Sequence, residues 1–318
     1  MQTFHPSGSM FVRGLAMLLL GFSISTAARA QALKNVVPRY VVPRSVERPL
    51  SLAILDFGSA APGLLAADKL AINLKREPGV MVLDRDQVRA AARGAGYVGS
   101  MSLTLNEARD LGAALGSDFF IIGDAQTLRR SPSDRPVYFD SYASIFVVSA
   151  RTGRLISWQR PAFVADTPAA AEQLLFSELS GSEIQHRLSV TVHRAQEDER
   201  GERQLTTAEQ IPIIEAAPDD EKSAEAEGLR LPRPYRRFVP PYPESAALAE
   251  VEATVDVLVD LDATGEVTRV EVARWAGFGL DEATVETVRR LHFFPAMRDG
   301  IAIPIRVLLR YNFRKPPK

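Results

Sequence analysis

The stretch VEATVDVLVDLDATGEVTRVEVAR, residues 251–274, decides the fold of the last part of this chain. From Val251 to Leu261 apolar residues stand at every second position, which is the period of a strand with one buried face. The turn-forming residues of Asp262 to Gly265 then reverse the chain, and Glu266 to Arg274 has the pattern of a second strand. The stretch therefore predicts an antiparallel hairpin.

A helix and a further strand follow the hairpin. Asp281 stands where it can cap a helix, and three apolar side chains then share one helical face, namely Val285, Val288 and Leu291. From Ile301 to Phe313 apolar residues again alternate with polar or small ones, so we expect one long last strand in which Pro304 removes a backbone donor. The predicted order of the C-terminal part is β-β-α-β.

Four short motifs flank these elements. They are Pro241-Tyr242-Pro243 before the first strand, Asp262 to Val267 in the hairpin, Gly279-Leu280-Asp281 at the helix start and Phe293 to Ala296 after the helix. With these motifs, residues 232–314 of a predicted C-terminal domain (232–318) resemble the TonB C-terminal family. The resemblance implies a domain that binds outer-membrane receptors by accepting a short receptor segment as an added strand beside its last strand. In one departure, Glu252-Ala253 stands where many members have a Glu-Gly pair.

By that resemblance the partner-binding residues lie in the Tyr-Pro motif and along the last strand. They are Tyr242 and Pro243 in the motif, and Ile305, Arg306, Val307, Leu308, Leu309, Arg310 and Tyr311 in the strand. Tyr242 has a second interpretation, as a packed aromatic that closes the domain. Trp275 is a loop aromatic that either folds over the sheet edge or faces a partner. A homodimer through the same edge strand is a further expectation.

Short apolar runs alternate with helical patterns between residues 50 and 193, which predicts an N-terminal α/β layered sandwich. The segments that carry a resemblance are Leu52 to Phe57, Val82 to Arg85, Leu115 to Gly123 and Ala150 to Leu155. In order and spacing they resemble the envelope α/β domains of the CsgG and TolB amino-terminal type. The resemblance implies a scaffold or assembly module rather than a catalyst.

Three segments lack the pattern of a folded core. Residues 1–30 have the basic start, short apolar run and Ala28-Arg29-Ala30 cleavage pattern of an export signal, and residues 31–49 form a proline-containing extended segment. Residues 194–231 are rich in charge and predict a flexible linker that a protease should cut first, leaving two stable domains. We therefore expect a periplasmic protein. The alternative is an inner-membrane protein held by an uncleaved N-terminal anchor.

The amino-acid composition excludes several kinds of reaction and partner. The chain has no cysteine and a formal net charge of -1, so disulfides and thiolate chemistry are excluded and nucleic acid is not an expected partner. The run from Gly94 to Gly99 has the spacing of a dinucleotide fingerprint but follows a helical pattern instead of a strand. The four histidines do not cluster with other ligands. We expect no metal, no cofactor and no enzymatic activity.

The sequence thus favours a non-enzymatic periplasmic adaptor whose C-terminal domain binds an outer-membrane receptor or another envelope protein. One alternative is a TonB-type energy transducer, anchored in the inner membrane, that supports outer-membrane transport. A second alternative is a ligand-binding or enzymatic α/β domain. Its candidate residues are Asp56, Asp84 and Asp124, at strand ends where α/β sheets bind ligands.

Overall fold

The computed structural model describes residues 48–131, 133, 136–206, 214–218, 221–226 and 228–315. The predicted export signal, nearly all of the extended segment before residue 50 and part of the predicted linker lie outside these ranges. From Arg48 onward the chain forms one compact unit.

The described residues of the first half form a mixed sheet and its helices. These elements are β1 (Leu50–Ile54), α1 (Ala61–Leu74), β2 (Val80–Val82), α2 (Arg85–Gly94), α3 (Leu105–Leu115), β3 (Phe119–Arg130), β4 (Tyr138–Ser149), β5 (Leu155–Gln159), β6 (Ala162–Ala165), α4 (Pro168–Leu179) and α5 (Ser182–Thr206). The strand order is β2-β1-β3-β4-β5, and β6 also pairs with β4. Strand β1 is parallel to β2 and β3, whereas β4 is antiparallel to β3, β5 and β6.

Helices cover both faces of this sheet. Leu52 and Ile54 pack in a cluster with residues of α1, α4 and α5, while Ala53 and Leu55 pack in another with residues of α2 and α3. All five residues of β1 are buried, as expected for a strand between two helical layers. The fold of this half is the α/β layered sandwich that the sequence predicted.

Two helix ends follow the sequence signals. Asp84 caps α2 by accepting hydrogen bonds from the backbone N–H groups of Asp86 and Gln87, at 3.0 and 3.1 Å. Gly116 ends α3 in the left-handed region at φ 65°. The Gly94 to Gly99 run begins at the last residue of α2 and continues into the loop after it, and it therefore lacks the preceding strand that dinucleotide binding requires.

Helix α5 corrects the start of the predicted linker. It continues through Thr206, although charge composition placed the linker at residue 194. The polar end of the helix is held by the turn between β4 and β5, where Glu199 pairs with Arg151 at 2.7 Å and Glu202 pairs with Arg154 at 2.7 Å. These ion pairs connect residues 48 positions apart, so local composition could not reveal them.

The described residues of the second half form three small sheets. Their elements are α6 (Glu221–Ala226), β7 (Leu229–Arg230), β8 (Arg233–Pro234), α7 (Glu244–Leu248), β9 (Ala253–Leu261), β10 (Val267–Arg274), α8 (Leu280–Val288), β11 (Phe293–Phe294), β12 (Ala296–Arg298), β13 (Ile301–Ile303) and β14 (Ile305–Phe313). The main sheet has the order β10-β9-β14, and the smaller ones have the orders β11-β8 and β13-β12-β7. The predicted hairpin, the helix after it and the final strand are all present.

The structure corrects two details of this region. Pro304 divides the predicted long last strand, because β13 ends at Ile303 and β14 begins at Ile305. Asp281 is not the cap of α8, which begins after Gly279 in the left-handed region at φ 77°. The Asp281 carboxylate instead accepts hydrogen bonds from the backbone N–H groups of Ala276 and Gly277, at 2.9 and 2.7 Å. It therefore fixes the loop before the helix.

One hydrophobic cluster runs through both halves. It joins Phe120 and Phe146 of the first sheet to Val257 of β9 and to Trp275 and Phe278 in the loop before α8. Independent cores for residues 50–193 and 232–318 are therefore not confirmed.

Candidate functional site

Strand β14 lies at an edge of the C-terminal sheet. It pairs with β9 along its whole length, from Ile305 opposite Leu261 to Phe313 opposite Ala253. Within the described residues no complete strand lies on its other side. Such an edge presents backbone donors and acceptors that an extended peptide can pair with.

The direction of each backbone group along β14 follows from Arg306. Its N–H donates to the carbonyl oxygen of Glu215 at 2.8 Å, and its carbonyl oxygen accepts from the N–H of Ala217 at 2.7 Å. Both groups of Arg306 thus point away from β9. Because backbone direction alternates along a strand, the backbone groups of Leu308 and Arg310 point to the same open side.

The side chains of β14 divide between two faces. Ile305, Val307 and Phe313 are buried on the core face, whereas Leu308 on the opposite face is 47% exposed. Leu308, one of the expected partner-binding residues, therefore has its side chain on the face turned away from the core.

Two ion pairs occupy the outer face of the sheet. Arg306 binds the carboxylate of Asp260 through two hydrogen bonds of 2.5 and 2.8 Å, and Arg310 binds Asp256 through bonds of 2.7 and 3.0 Å. Both aspartates are buried and stand directly opposite their arginines on β9. The adjacent carboxylates raise the pKa of both guanidinium groups, chiefly by hydrogen bonding. Arg306 and Arg310, two of the expected partner-binding residues, are therefore already paired within the sheet.

Residues 214–218 cover the beginning of the open edge. Ala216 forms a parallel bridge with Arg306, and Ala217 packs on the hydrophobic core while Glu215 is exposed. The Glu215 carboxylate accepts two hydrogen bonds from the Arg298 guanidinium of β12, at 2.7 and 2.8 Å. This pairing lowers the pKa of Glu215, so its carboxylate is charged at neutral pH.

Sequence reasoning missed this contact because it assigned residues 194–231 to a linker. The available signal was the short apolar run from Ile211 to Ile214 within a charged stretch. A run of that kind can pair with a sheet edge, but nothing in the sequence identifies which edge.

The Tyr-Pro motif lies beside the far end of β14. The Tyr242 hydroxyl donates to the carbonyl oxygen of Val251 at 2.5 Å, and its ring centroid lies 6.4 Å from that of Phe313. Burial raises the pKa of Tyr242, which keeps the hydroxyl protonated and able to donate. Pro243 packs near Gly279 at the start of α8. Tyr242 thus has the packing role that the sequence allowed, and a partner contact stays a prediction.

Trp275 is removed from the candidate surface. Its side chain is 1% exposed, its ring stacks on Phe146 with centroids 6.0 Å apart, and its Nε1–H donates to the carbonyl oxygen of Gly153 at 3.0 Å. A side chain enclosed in this way presents no surface to a partner. Its role is to join the C-terminal sheet to the first half.

The three aspartates of the ligand-binding alternative have separate partners. Asp56 forms ion pairs with Arg85 and Arg89, and Asp84 caps α2. Asp124 lies on β3, where it accepts a hydrogen bond from the Gln126 side chain at 3.0 Å. Each carboxylate therefore has a structural partner.

The part of the chain that the structure describes contains neither a metal-binding cluster nor a membrane-spanning helix. Among these residues, no group of three or more His, Asp or Glu side chains is arranged to hold a metal ion. Among the same residues, no helix combines the length and the apolar character needed to span a bilayer.

Comparison with known proteins supports a TonB-like C-terminal domain. The family model of the Gram-negative bacterial TonB protein C-terminal matches residues 239–314. No curated protein matches the chain.

Among solved structures, the C-terminal domain of Pseudomonas aeruginosa TonB is 19% identical, with 27% of this chain and 89% of that chain covered and a TM-score of 0.24. The hypothetical protein CT253 of Chlamydia trachomatis is 11% identical, with 43% of this chain and 95% of that one covered and a TM-score of 0.31. Lipoprotein GNA1162 of Neisseria meningitidis is 14% identical, with coverages of 47% and 99% and a TM-score of 0.28. The resemblance of residues 50–193 to CsgG and TolB domains stays a prediction.

Proposed function

We propose that this chain is a non-enzymatic adaptor of the Gram-negative cell envelope that binds an extended segment of a partner protein along β14. The observation that carries the proposal is the pairing of Arg306 with Glu215 and Ala217, because an edge that accepts one extended segment has the geometry to accept another. The family match to residues 239–314 supports the same class of function.

The partner class is an outer-membrane receptor or another envelope protein. The export signal proposed for residues 1–30 places the chain in the periplasm, where such segments are accessible. The first half acts as a scaffold that carries the edge strand, since the loop around Trp275 fixes the C-terminal sheet to it.

A single backbone donor tests the binding mode. Leu308→Pro removes an N–H group on the open side of β14 and leaves the bonds to β9 intact. Leu308→Ala is the matched control, because it shortens the same exposed side chain but keeps the N–H group. The measurement is the capture of envelope proteins from a detergent extract of outer membranes, with each folded variant immobilised and the retained proteins quantified by mass spectrometry.

We expect the amount of each partner protein retained by Leu308→Pro to be at least tenfold lower than the amount retained by the wild type or by Leu308→Ala. The loss should be selective, so proteins retained equally by all three forms count as background. Equal retention of every protein by the two variants would show that partners do not add to this edge.

A further inference from the structure

The beginning of the β14 edge is already occupied by this chain itself. The occupant is the segment 214–218, which runs parallel to β14 and, among the described residues, makes two backbone hydrogen bonds to the edge, both at Arg306. The next outward-facing backbone groups, at Leu308 and Arg310, have no backbone partner among the described residues. The edge is thus closed at its first outward residue and open beyond it.

Two side-chain contacts fix how the segment sits. The Glu215 carboxylate forms a bidentate ion pair with the Arg298 guanidinium group, and Ala217, two residues later, packs on the hydrophobic core. Residues two apart in an extended segment share one face, so both contacts come from the face turned toward the core. Ala216 lies between them on the other face and is exposed. The occupied site therefore accepts an acidic residue, then any residue, then a small apolar residue.

We propose that residues 214–218 are a built-in competitor of the partner, and that the partner segment has the same pattern, acidic–any–small apolar, running parallel to β14. This proposal rests on the proposed function, because it concerns the same edge. A partner strand that displaces the segment takes over the bonds at Arg306 and the Arg298 guanidinium, and gains pairing at Leu308 and Arg310. The self-bound segment thereby excludes weak or mismatched peptides.

Competition of this kind has a measurable size. A segment tethered to its own site acts at an effective concentration on the order of millimolar. If the segment itself has a dissociation constant of about 100 μM for the edge, a free peptide would therefore bind the occupied edge about tenfold more weakly than the vacant one.

Two neighbouring proline substitutions in the full chain separate the effect of losing a backbone hydrogen bond from the effect of introducing a proline. Ala217→Pro removes the N–H group that donates to Arg306, whereas Ala216→Pro changes a residue whose N–H faces away from β14. The probe is a synthetic peptide with the sequence of residues 211–219, IPIIEAAPD, carrying a fluorophore. A second peptide with Lys at the Glu215 position tests the acidic requirement.

Amide hydrogen exchange at Arg306 reports release of the segment without any ligand. We expect exchange at Arg306 to increase at least tenfold in Ala217→Pro and to stay near the wild-type rate in Ala216→Pro. The probe should bind Ala217→Pro about tenfold more tightly than the other two forms, and the Lys peptide should lose most of that gain. Bound probe should also slow exchange at Leu308.

Two results would overturn the proposal that residues 214–218 compete with the partner. One is unchanged Arg306 exchange and equal probe affinity in all three forms. The other is faster Arg306 exchange in Ala217→Pro without tighter probe binding, since a vacated edge that gains no peptide affinity is not a competed site. If Leu308→Pro still abolishes capture of envelope proteins in either case, strand addition stands and only the competitor falls. Were Leu308→Pro also without effect, both proposals would be wrong.

Discussion

Replacing Trp275 tests whether the two halves of the chain fold as one unit. The side chain is fully enclosed, stacks on Phe146 of β4 and donates to Gly153 in the turn after that strand. Truncating a buried tryptophan to alanine costs about 3–5 kcal/mol, and the orphaned Gly153 carbonyl puts Trp275→Ala in the upper part of that range. Trp275→Phe keeps most of the ring and loses the donor, so we expect a cost of about 1–2 kcal/mol.

Urea denaturation followed by circular dichroism measures these costs, with the midpoint as the readout at an unchanged denaturant slope. Leu248→Ala is the control, because Leu248 is 68% exposed on α7 and its truncation should change the free energy of unfolding by less than about 0.5 kcal/mol. A loss below about 1.5 kcal/mol in Trp275→Ala would contradict the packing around this residue.

The same variants report on cooperativity. The chain has two tryptophans, so in Trp275→Phe the fluorescence comes from Trp158 on β5 of the first sheet. If the halves share one core, the fluorescence and circular dichroism transitions of Trp275→Phe should coincide. Transitions at clearly different urea concentrations would restore the two independent domains that the sequence predicted.

Two further predictions follow from a glycine and from a carboxylate. Gly265→Ala should destabilise the chain by more than about 3 kcal/mol, because the added Cβ would lie 2.0 Å from the Phe293 carbonyl oxygen. Gly300→Ala is the control: it has open space at a similar φ of 83°, so it should cost only about 1–2 kcal/mol of backbone strain. Similar thermal unfolding midpoints for the two variants would refute the close approach at Gly265. Burial raises the pKa of Asp281 from 3.8 to about 7, against the opposing effect of two backbone donors. The folded state therefore binds the Asp281 proton more tightly than the unfolded state does. As pH rises from 4 to 7, the free energy of unfolding of the wild type should fall by about 3–4 kcal/mol relative to that of Asp281→Asn. Urea unfolding at pH 4.5, 6 and 8 measures this difference, and a difference that is constant with pH would contradict the shift.

The C-terminal elements were predictable because their pattern is local. Val255, Val257 and Val259 alternate with side chains on the outer face, and a sheet with one buried face requires that period. The same rule hid the break at Pro304, since the alternation continues across it from β13 into β14. A period of two cannot distinguish one long strand from two short ones.

The features that the sequence did not reveal depend on distant partners. For Trp275 the sequence left packing over the sheet edge and contact with a partner both open, and its burial depends on Phe146 from another sheet. The continuation of α5 depends on Arg151 and Arg154 in a distant turn. The occupied edge depends on Arg298 and Arg306, which lie more than 80 residues from Glu215. In each case the decisive contact is made between residues far apart in the sequence, and a local sequence pattern carries no information about such contacts.

The way β14 is protected bears on what can bind it. Exposed edge strands invite indiscriminate pairing, and proteins limit this with proline, with charge or by covering the edge. Pro304 precedes β14, the Tyr242 ring packs near its end at Phe313, and residues 214–218 cover Arg306. The arginines add no free charge of their own, because Asp256 and Asp260 neutralise them. What stays unprotected is the short interval around Leu308 and Arg310, so the proposed competition predicts that tight binding requires a segment that also displaces residues 214–218. Selectivity would then arise at Arg298, where the competing carboxylates meet the same guanidinium group.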